Sequence, residues 1–375
     1  MQTAIPYMHI RGGSSKGLYF NAKDLPTDEA LRNKVILAAM EGSDLGDLRQ
    51  IDGLGGGSSL SSKVAIVSLS NTPEGNVTAS GARQEGIDLD YYFIQIMMGK
   101  GMVSTTQTCG NILAGVLPFA IESGMIKASH STTSAKINIV NTGGICEVIV
   151  QTPNGKVNYA GDAKVDGVLG TAAPIICNYL HTEGATCGAL LPTGNAIDVM
   201  DEIEMTCIDN GMPVVILRAI DFNMTGYETK EELDNNDDLK QKVEEIRLKM
   251  GHKMNLGDVK EQSIPKMCLI SSPKNASNLV NTRMFIPHVC HDAIGVLAAV
   301  SVATACILPH SIAQGIASNL DSNTFSIEHP TGEFTVNLET QLQNNQLIIE
   351  KSGVMRTARL LSKGVVYIPQ SIWIK

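Results

Sequence analysis

Two residues in this chain combine proton-transfer chemistry with surroundings that could use it. Cys109 stands in Thr108-Cys109-Gly110-Asn111, directly ahead of the apolar residues 112–122, which read as a buried helix. A thiol at a helix N-terminus meets free backbone N–H groups and the positive end of the helix dipole. That setting favours a usable acid or base and is also a seat for a carboxylate. A lone cysteine can equally be a small residue packing a helix end. Gly110 and Asn111, which expose amides and add a side-chain donor, weigh toward chemistry. Cys290 leads a second apolar run, residues 293–308, in the same way, but His288 and His291 crowd it and could carry its role.

The second residue is Lys63, at the head of an apolar strand behind the flexible stretch Gly53-Leu54-Gly55-Gly56-Gly57-Ser58-Ser59. A lysine that loses solvent or gains a cationic neighbour is easier to use as a base. The plain alternative is a surface lysine at a strand end. A third group, Arg11-Gly12-Gly13-Ser14-Ser15-Lys16-Gly17, lacks the order of a P-loop, and the glycine stretch leads into a strand rather than a helix, so the dinucleotide fingerprint fails as well. What remains is a loop of small residues, two hydroxyls and two cations that could cradle a carboxylate, or an ordinary turn. Arg283 adds a cation in the second half, with an ion pair as the alternative. These residues point to an anionic small ligand and acid/base chemistry without a metal.

Elements must position these groups. Residues 63–70, 91–98, 145–152 and 214–218 read as strands, and the last third returns to strands at 324–327, 333–338, 347–351, 355–361 and 365–368. Residues 28–40 and the charged stretch 230–250 read as helices. A weak duplication links the halves: Ile51-Asp52-Gly53, the strand from Lys63 and the helix led by Cys109 match Ile208-Asp209-Asn210-Gly211, the strand from Pro213 and the helix led by Cys290. Two lobes facing a cleft, 1–184 with Lys63 and Cys109 and 185–375 with Arg283 and Cys290, is the simplest arrangement.

Composition narrows the partners. A chain of 375 residues exceeds one core, and 43% hydrophobic residues exclude disorder. With 29 basic against 38 acidic residues the charge is −9, which argues against nucleic acid and anionic membrane as partners. The run 293–308 is too short to span a bilayer, and the N-terminus lacks a signal-peptide pattern. Eight scattered cysteines without ligand spacing give no metal site and suggest a reduced cytoplasm. A homodimer is compatible with all of this.

The segments from Arg11 to Gly17, from Ile51 to Gly57 with Ser61-Ser62-Lys63-Val64-Ala65-Ile66-Val67, from Cys109 to Gly115, and Pro287-His288-Val289-Cys290-His291 resemble the methylaconitate isomerase (PrpF) family. The resemblance runs from about Ile5 to Ile368; where the family usually has Thr, this chain has Ser14, which keeps the hydroxyl. Cys187-Gly188-Ala189-Leu190-Leu191-Pro192-Thr193-Gly194-Asn195, the block from Thr206 to Val215 and that from Met254 to Val259 resemble the members that act on 4-oxalomesaconate.

The resemblance implies a mixed α/β (α+β) fold of the diaminopimelate-epimerase type. Its two pseudo-symmetric lobes are each a strongly curved, mostly antiparallel sheet around a central helix, and the last strand often rejoins the first lobe. It implies cofactor-free proton transfer on an unsaturated tricarboxylate, with Lys63 and Cys109 as the catalytic pair. Arg11, Lys16, Arg283 and His288 would anchor carboxylates, while Ser14, Ser15, Gly110 and Asn111 would hold a dienolate. Gly53, Ser59, Asn195 and Cys290 complete the substrate-binding set. Keto–enol tautomerisation of 4-oxalomesaconate is favoured over an allylic double-bond shift and over cis–trans isomerisation of 2-methylaconitate. Two other classes stay open: a non-catalytic accessory of an aconitase-like enzyme, and an amino-acid epimerase needing both Cys109 and Cys290.

Overall fold

The computed structural model describes residues 1–42, 46–70, 86–105, 108–343 and 346–375. The chain forms two compact units, Met1–Asn178 with Met355–Lys375, and Tyr179–Val354. In the first, β1 (Gln2–Gly12) and β2 (Ser15–Asn21) form an antiparallel hairpin. The chain leaves through α1 (Glu29–Glu41) and returns as β3 (Lys63–Leu69), parallel to β2. Strand β4 (Leu89–Met97) runs antiparallel to β3. A second excursion through β5 (Met102–Ser104), α2 (Gly110–Leu113) and α3 (Val116–Glu122) leads to β6 (Ser131–Ile139), parallel to β4. Strand β7 (Gly144–Thr152) is antiparallel to β6, and β8 (Pro174–Leu180) follows.

The second unit repeats the same sequence of pairings. After β9 (Asp198–Met200), β10 (Ile203–Asp209) and β11 (Pro213–Arg218) form the hairpin, and an excursion through α4 (Lys230–Asp234) and α5 (Asp237–Lys253) ends in β12 (Lys266–Ser271), parallel to β11. Strand β13 (Val280–Phe285) is antiparallel to β12; α6 (Val296–Ile307) leads to β14 (Thr324–His329), parallel to β13, and β15 (Gly332–Gln343) is antiparallel to β14. The duplication is therefore real, but its alignment differs from the one read in the sequence. The counterpart of β3 is β12, not β11, so Lys63 corresponds to Lys266, and the turn at Asn210 corresponds to Gly12 and Gly13.

Several elements depart from expectation for local reasons. The helix expected over 230–250 breaks, because the Asn236 side chain accepts from Leu239 N–H and caps α5. The apolar helix 112–122 is two pieces, hinged at Ala114 and Gly115. Three expected C-terminal strands are one continuous strand, β16 (Gln346–Pro369). Its distal half pairs antiparallel with β1, from Gly12 with Ala358 to Gln2 with Pro369. Residues 355–375 thus group with the first unit; the division into 1–184 and 185–375 puts them in the second lobe, with the allowance that the last strand rejoins the first.

Paired residues project to one face of a sheet and alternate along each strand. In the first unit Leu18, Phe20, Val64, Ile66, Ile94 and Ile96 pack with Val35, Ile36, Ala39 and Met40 of α1. The opposite face receives α2 and α3, which touch β1, β2, β3 and β7, so the sheet curves round that helical pair. In the second unit α5 covers one face with Leu239, Val243, Ile246 and Met250 against Val215, Leu217, Met267 and Leu269. There α6 takes the other, against β10, β11, β14 and β15. Among the described residues no helix is long and apolar enough to cross a membrane.

Candidate active site

Register decides which side chains can meet. Ile10 pairs with Gly17, Gly17 with Lys63 and Lys63 with Gln95. All four therefore face α2 and α3, as do Ser15, Tyr19, Tyr91 and Phe93. Lys63 is 8% exposed. Its Nζ donates to Gln95 Oε1 at 2.6 Å and lies 5.3 Å from the centre of the Phe93 ring. Glycine is required at position 17, because a Cβ there would collide with the Lys63 backbone carbonyl and crowd its Cβ.

The same face carries the thiol. Cys109 is the N-cap of α2, and Tyr91 Oη donates to its carbonyl oxygen at 3.1 Å. Tyr19 Oη donates to the Ile112 carbonyl at 2.5 Å, and Gly115 leaves room for that ring. A Cβ on Gly12 would strike the Asn111 carbonyl, so the β1–β2 turn and α2 are in backbone contact. Asn111 Nδ2 donates to Ser14 Oγ at 3.1 Å across that contact. With α2 only four residues long, little macrodipole acts at Cys109; its local donors are the free amides of the turn. Of the eight cysteines Cys109 alone is not buried. Two hydroxyl oxygens, that of Ser15 next to Ser14 and that of Thr108 next to Cys109, are buried and have no hydrogen-bond partner among the described residues. Buried hydroxyls in that condition are rare and suit a ligand with acceptor or donor oxygens.

Other expected residues lie on the far face of the sheet or contact backbone groups. Arg11 and Lys16 pair with each other on the α1 side of the sheet, opposite Lys63. Arg11 Nη1 donates to the carbonyls of Gly13 at 2.8 Å and Thr357 at 3.2 Å and to Thr357 Oγ1 at 2.9 Å, tying the turn to β16. Gly53 and Gly55 lie against the end of α1, where a Cβ on either would meet Met40 O; Leu54 N–H and Gly55 N–H donate to Ala39 O and Met40 O, both at 3.0 Å. The glycine stretch is thus explained as a helix-end clasp. Ser59 is exposed, and its carbonyl accepts from Gln95 Nε2 at 3.4 Å.

In the second unit the expected residues do not form one cluster. Arg283 is buried; its Nε donates to Glu228 O at 2.6 Å, and Nη1 to Thr282 O at 2.8 Å and Asn281 Oδ1 at 3.0 Å. Cys290 is 1% exposed. Its N–H donates to Asp234 Oδ1 at 2.7 Å, its carbonyl accepts from Lys230 Nζ at 2.6 Å, and burial pushes its thiol up to about 11. It does not open a helix as expected: it bridges to Phe285, and α6 starts only after Gly295. His288 is exposed with Nδ1 3.7 Å from Glu244 Oε2, whereas Asn195 is exposed on another loop and donates to Asp198 Oδ1 at 3.1 Å. Among the described residues no group of three His, Cys, Asp or Glu side chains could hold a metal ion.

Gln95, Tyr91 and Thr108 were not singled out from sequence. A lone amide in the apolar alternation Tyr91-Tyr92-Phe93-Ile94-Gln95-Ile96 was the one signal available.

Comparison with known proteins agrees with this architecture. The crystal structure of a methylitaconate-delta-isomerase superposes with a TM-score of 0.87 at 32% identity, covering 100% of this chain and 98% of that one. The 4-oxalomesaconate tautomerase of Pseudomonas putida strain KT2440 is 50% identical over 374 residues, 99% of this chain and 98% of its own. The (4E)-oxalomesaconate Delta-isomerase of Novosphingobium sp. strain KA1 is 49% identical over 365 residues, 97% of each. The PrpF protein family matches residues 2–369, and with relatives of this identity over nearly the full length, the chain belongs to that family.

Proposed function

We propose that this chain is a cofactor-independent isomerase of oxalomesaconate, acting first as a keto–enol tautomerase. The observation that carries the reading is 50% identity, end to end, with a 4-oxalomesaconate tautomerase. The geometry supplies a consistent chemistry. The Lys63 Nζ lone pair takes the proton from the carbon next to the ketone, and the C–H electron pair passes into the conjugated enolate. The amides of Gly110 and Asn111, with the hydroxyls of Ser15 and Thr108, stabilise the oxyanion as it forms. The Cys109 thiol gives its proton to that oxygen, and the Lys63 ammonium returns one to the thiolate, so neither group is consumed. The eight free thiols suit a reduced compartment, and we assign the chain to the cytoplasm.

A second reading has its own support: the 49% identical relative is named for moving a double bond of oxalomesaconate. The same base does this if the proton returns to carbon rather than oxygen. Purified protein given the keto form of 4-oxalomesaconate, followed by ultraviolet absorbance and proton NMR, separates the two. Rapid appearance of the enol is the expected result; a new alkene proton pattern selects the allylic shift. No conversion by the folded protein, or conversion only of 2-methylaconitate, overturns the proposal.

A further inference from the structure

Gln95 sits on β4 directly across from Lys63 and is 8% exposed. Its amide orientation is determined by its surroundings. Nε2 donates to the carbonyls of Ser62 at 3.0 Å, Ile96 at 3.3 Å and Ser59 at 3.4 Å, and carbonyl oxygens can only accept. Turning the amide over would set its oxygen against three acceptors, so Oε1 must be the atom facing Lys63 Nζ at 2.6 Å. The Ser62 segment is itself held, since Ser62 Oγ donates to Gln50 Oε1 at 2.6 Å and Ile96 N–H to Ser62 O at 3.1 Å. Lys63 is thus gripped by a rigid, neutral acceptor.

The charged and titratable groups on the surrounding elements leave that arrangement undisturbed. On β2, Lys16 faces away and Tyr19 donates to Ile112 O. On β4, Tyr91 donates to Cys109 O, and Asp90 lies on the opposite face with Asn138 and Ser70. On α3, Glu122 accepts from Tyr159. At the far end of β3, Asp24 is paired with Lys375. Cys109 leads α2, and no ion pair joins Lys63 to a carboxylate among the described residues.

We propose that Gln95 is a positioning residue for Lys63: it fixes the direction of Nζ and, being neutral, leaves that nitrogen free to cycle between amine and ammonium. A carbonyl accepts an N–H from either form and turns the lone pair of the amine away from itself. A carboxylate at the same place would bind the ammonium as a salt bridge and disfavour the amine. The inference rests on Lys63 being the base, and it adds a residue that acts through that base by holding its Nζ.

The test is the pH profile of kcat/KM for wild type, Gln95→Glu, Gln95→Met and Lys63→Ala. In Gln95→Glu the acid limb is expected to move up by more than about one pH unit. Activity at neutral pH falls about 10–100-fold and recovers as the pH is raised. In Gln95→Met, kcat falls on the order of 10-fold or more with KM little changed, because Nζ is no longer aimed. Should Gln95→Glu fail to fold, the KM-against-kcat split in Gln95→Met decides. A profile in Gln95→Glu that overlays wild type, or an unchanged kcat in Gln95→Met, overturns the role of Gln95 while Lys63→Ala stays inactive. Wild-type activity in Lys63→Ala would instead remove the base itself.

Discussion

The two units use one strand-pairing scheme and end with different chemistry at equivalent positions. A lysine heads the strand that runs parallel to the second hairpin strand in each, Lys63 on β3 and Lys266 on β12, on the side away from the outer helix. A cysteine lies on the excursion toward the inner helix in each, Cys109 after β5 and Cys290 after β13. In the first unit the lysine faces glycine and donates to Gln95, and the thiol is partly exposed beside turn amides. In the second, Lys266 faces Val214, and burial together with the nearby Arg247 lowers it to about 8, while Cys290 is packed away with its backbone pinned by Asp234 and Lys230. Duplication supplied the scaffold twice; glycine at one register position and access at one thiol separate the proposed site from its packed copy.

Breaking the proposed site should have the largest effect. Lys63→Ala and Cys109→Ala are each expected to lower kcat about 10²–10⁴-fold in a direct assay, the range for a placed acid or base. Lys266→Met and Cys290→Ala should stay within a few-fold of wild type. Equal losses in both units would erase the distinction drawn between them.

Transplanting the second unit's residue sharpens the comparison. Gly17→Val puts a side chain where Val214 stands opposite Lys266, but here it would meet Lys63 and its carbonyl. Loss of stability of about 1–3 kcal/mol in urea melts, from overpacking, should accompany loss of turnover. A variant as stable and active as wild type would show that the close approach is not needed.

Thiol access gives a smaller but cleaner reading. In native protein a small alkylating reagent should modify Cys109 first, with the other seven cysteines reacting only after denaturation. Mass mapping that finds Cys290 labelled as fast would contradict its packing.

The smallest effect concerns Lys266. Its value near 8 in the folded chain lies below the ordinary 10.5, so the unfolded chain binds more protons between those values. Stability contributed by this group is then gained as pH rises from 8 toward 10.5, and its cost is fully present below 8. Between pH 7 and pH 10 wild type should therefore gain on Lys266→Met in melting temperature, by about 2–4 °C for each kcal/mol relieved. An identical pH trend in both would mean that Lys266 is well solvated.

Much of this was legible in residue order. Lys63 heads a strand because the branched run after it has nowhere else to be buried, and Cys109 precedes a helical turn. Register was not legible. The match of β3 with β12 depends on which strands lie parallel, set by contacts between distant segments, and the sequence instead paired the Lys63 strand with the one from Pro213. For the same reason Arg11 and Lys16 were grouped with Lys63, although a shift of one residue along a strand puts them on the other face. The glycines at 53 and 55 carried a signal of close approach without saying to what; the answer is the end of α1. Gln95 was missed because an amide's value depends on the partners that fix its direction.

The central claim is that Lys63 moves a carbon-bound proton. Proton NMR in D₂O with 4-oxalomesaconate, wild type beside folded Lys63→Ala, tests it most directly. The account predicts rapid deuterium entry at the carbon next to the ketone with wild type, and exchange no faster than the buffer background with the variant. Exchange at the wild-type rate in Lys63→Ala would contradict it.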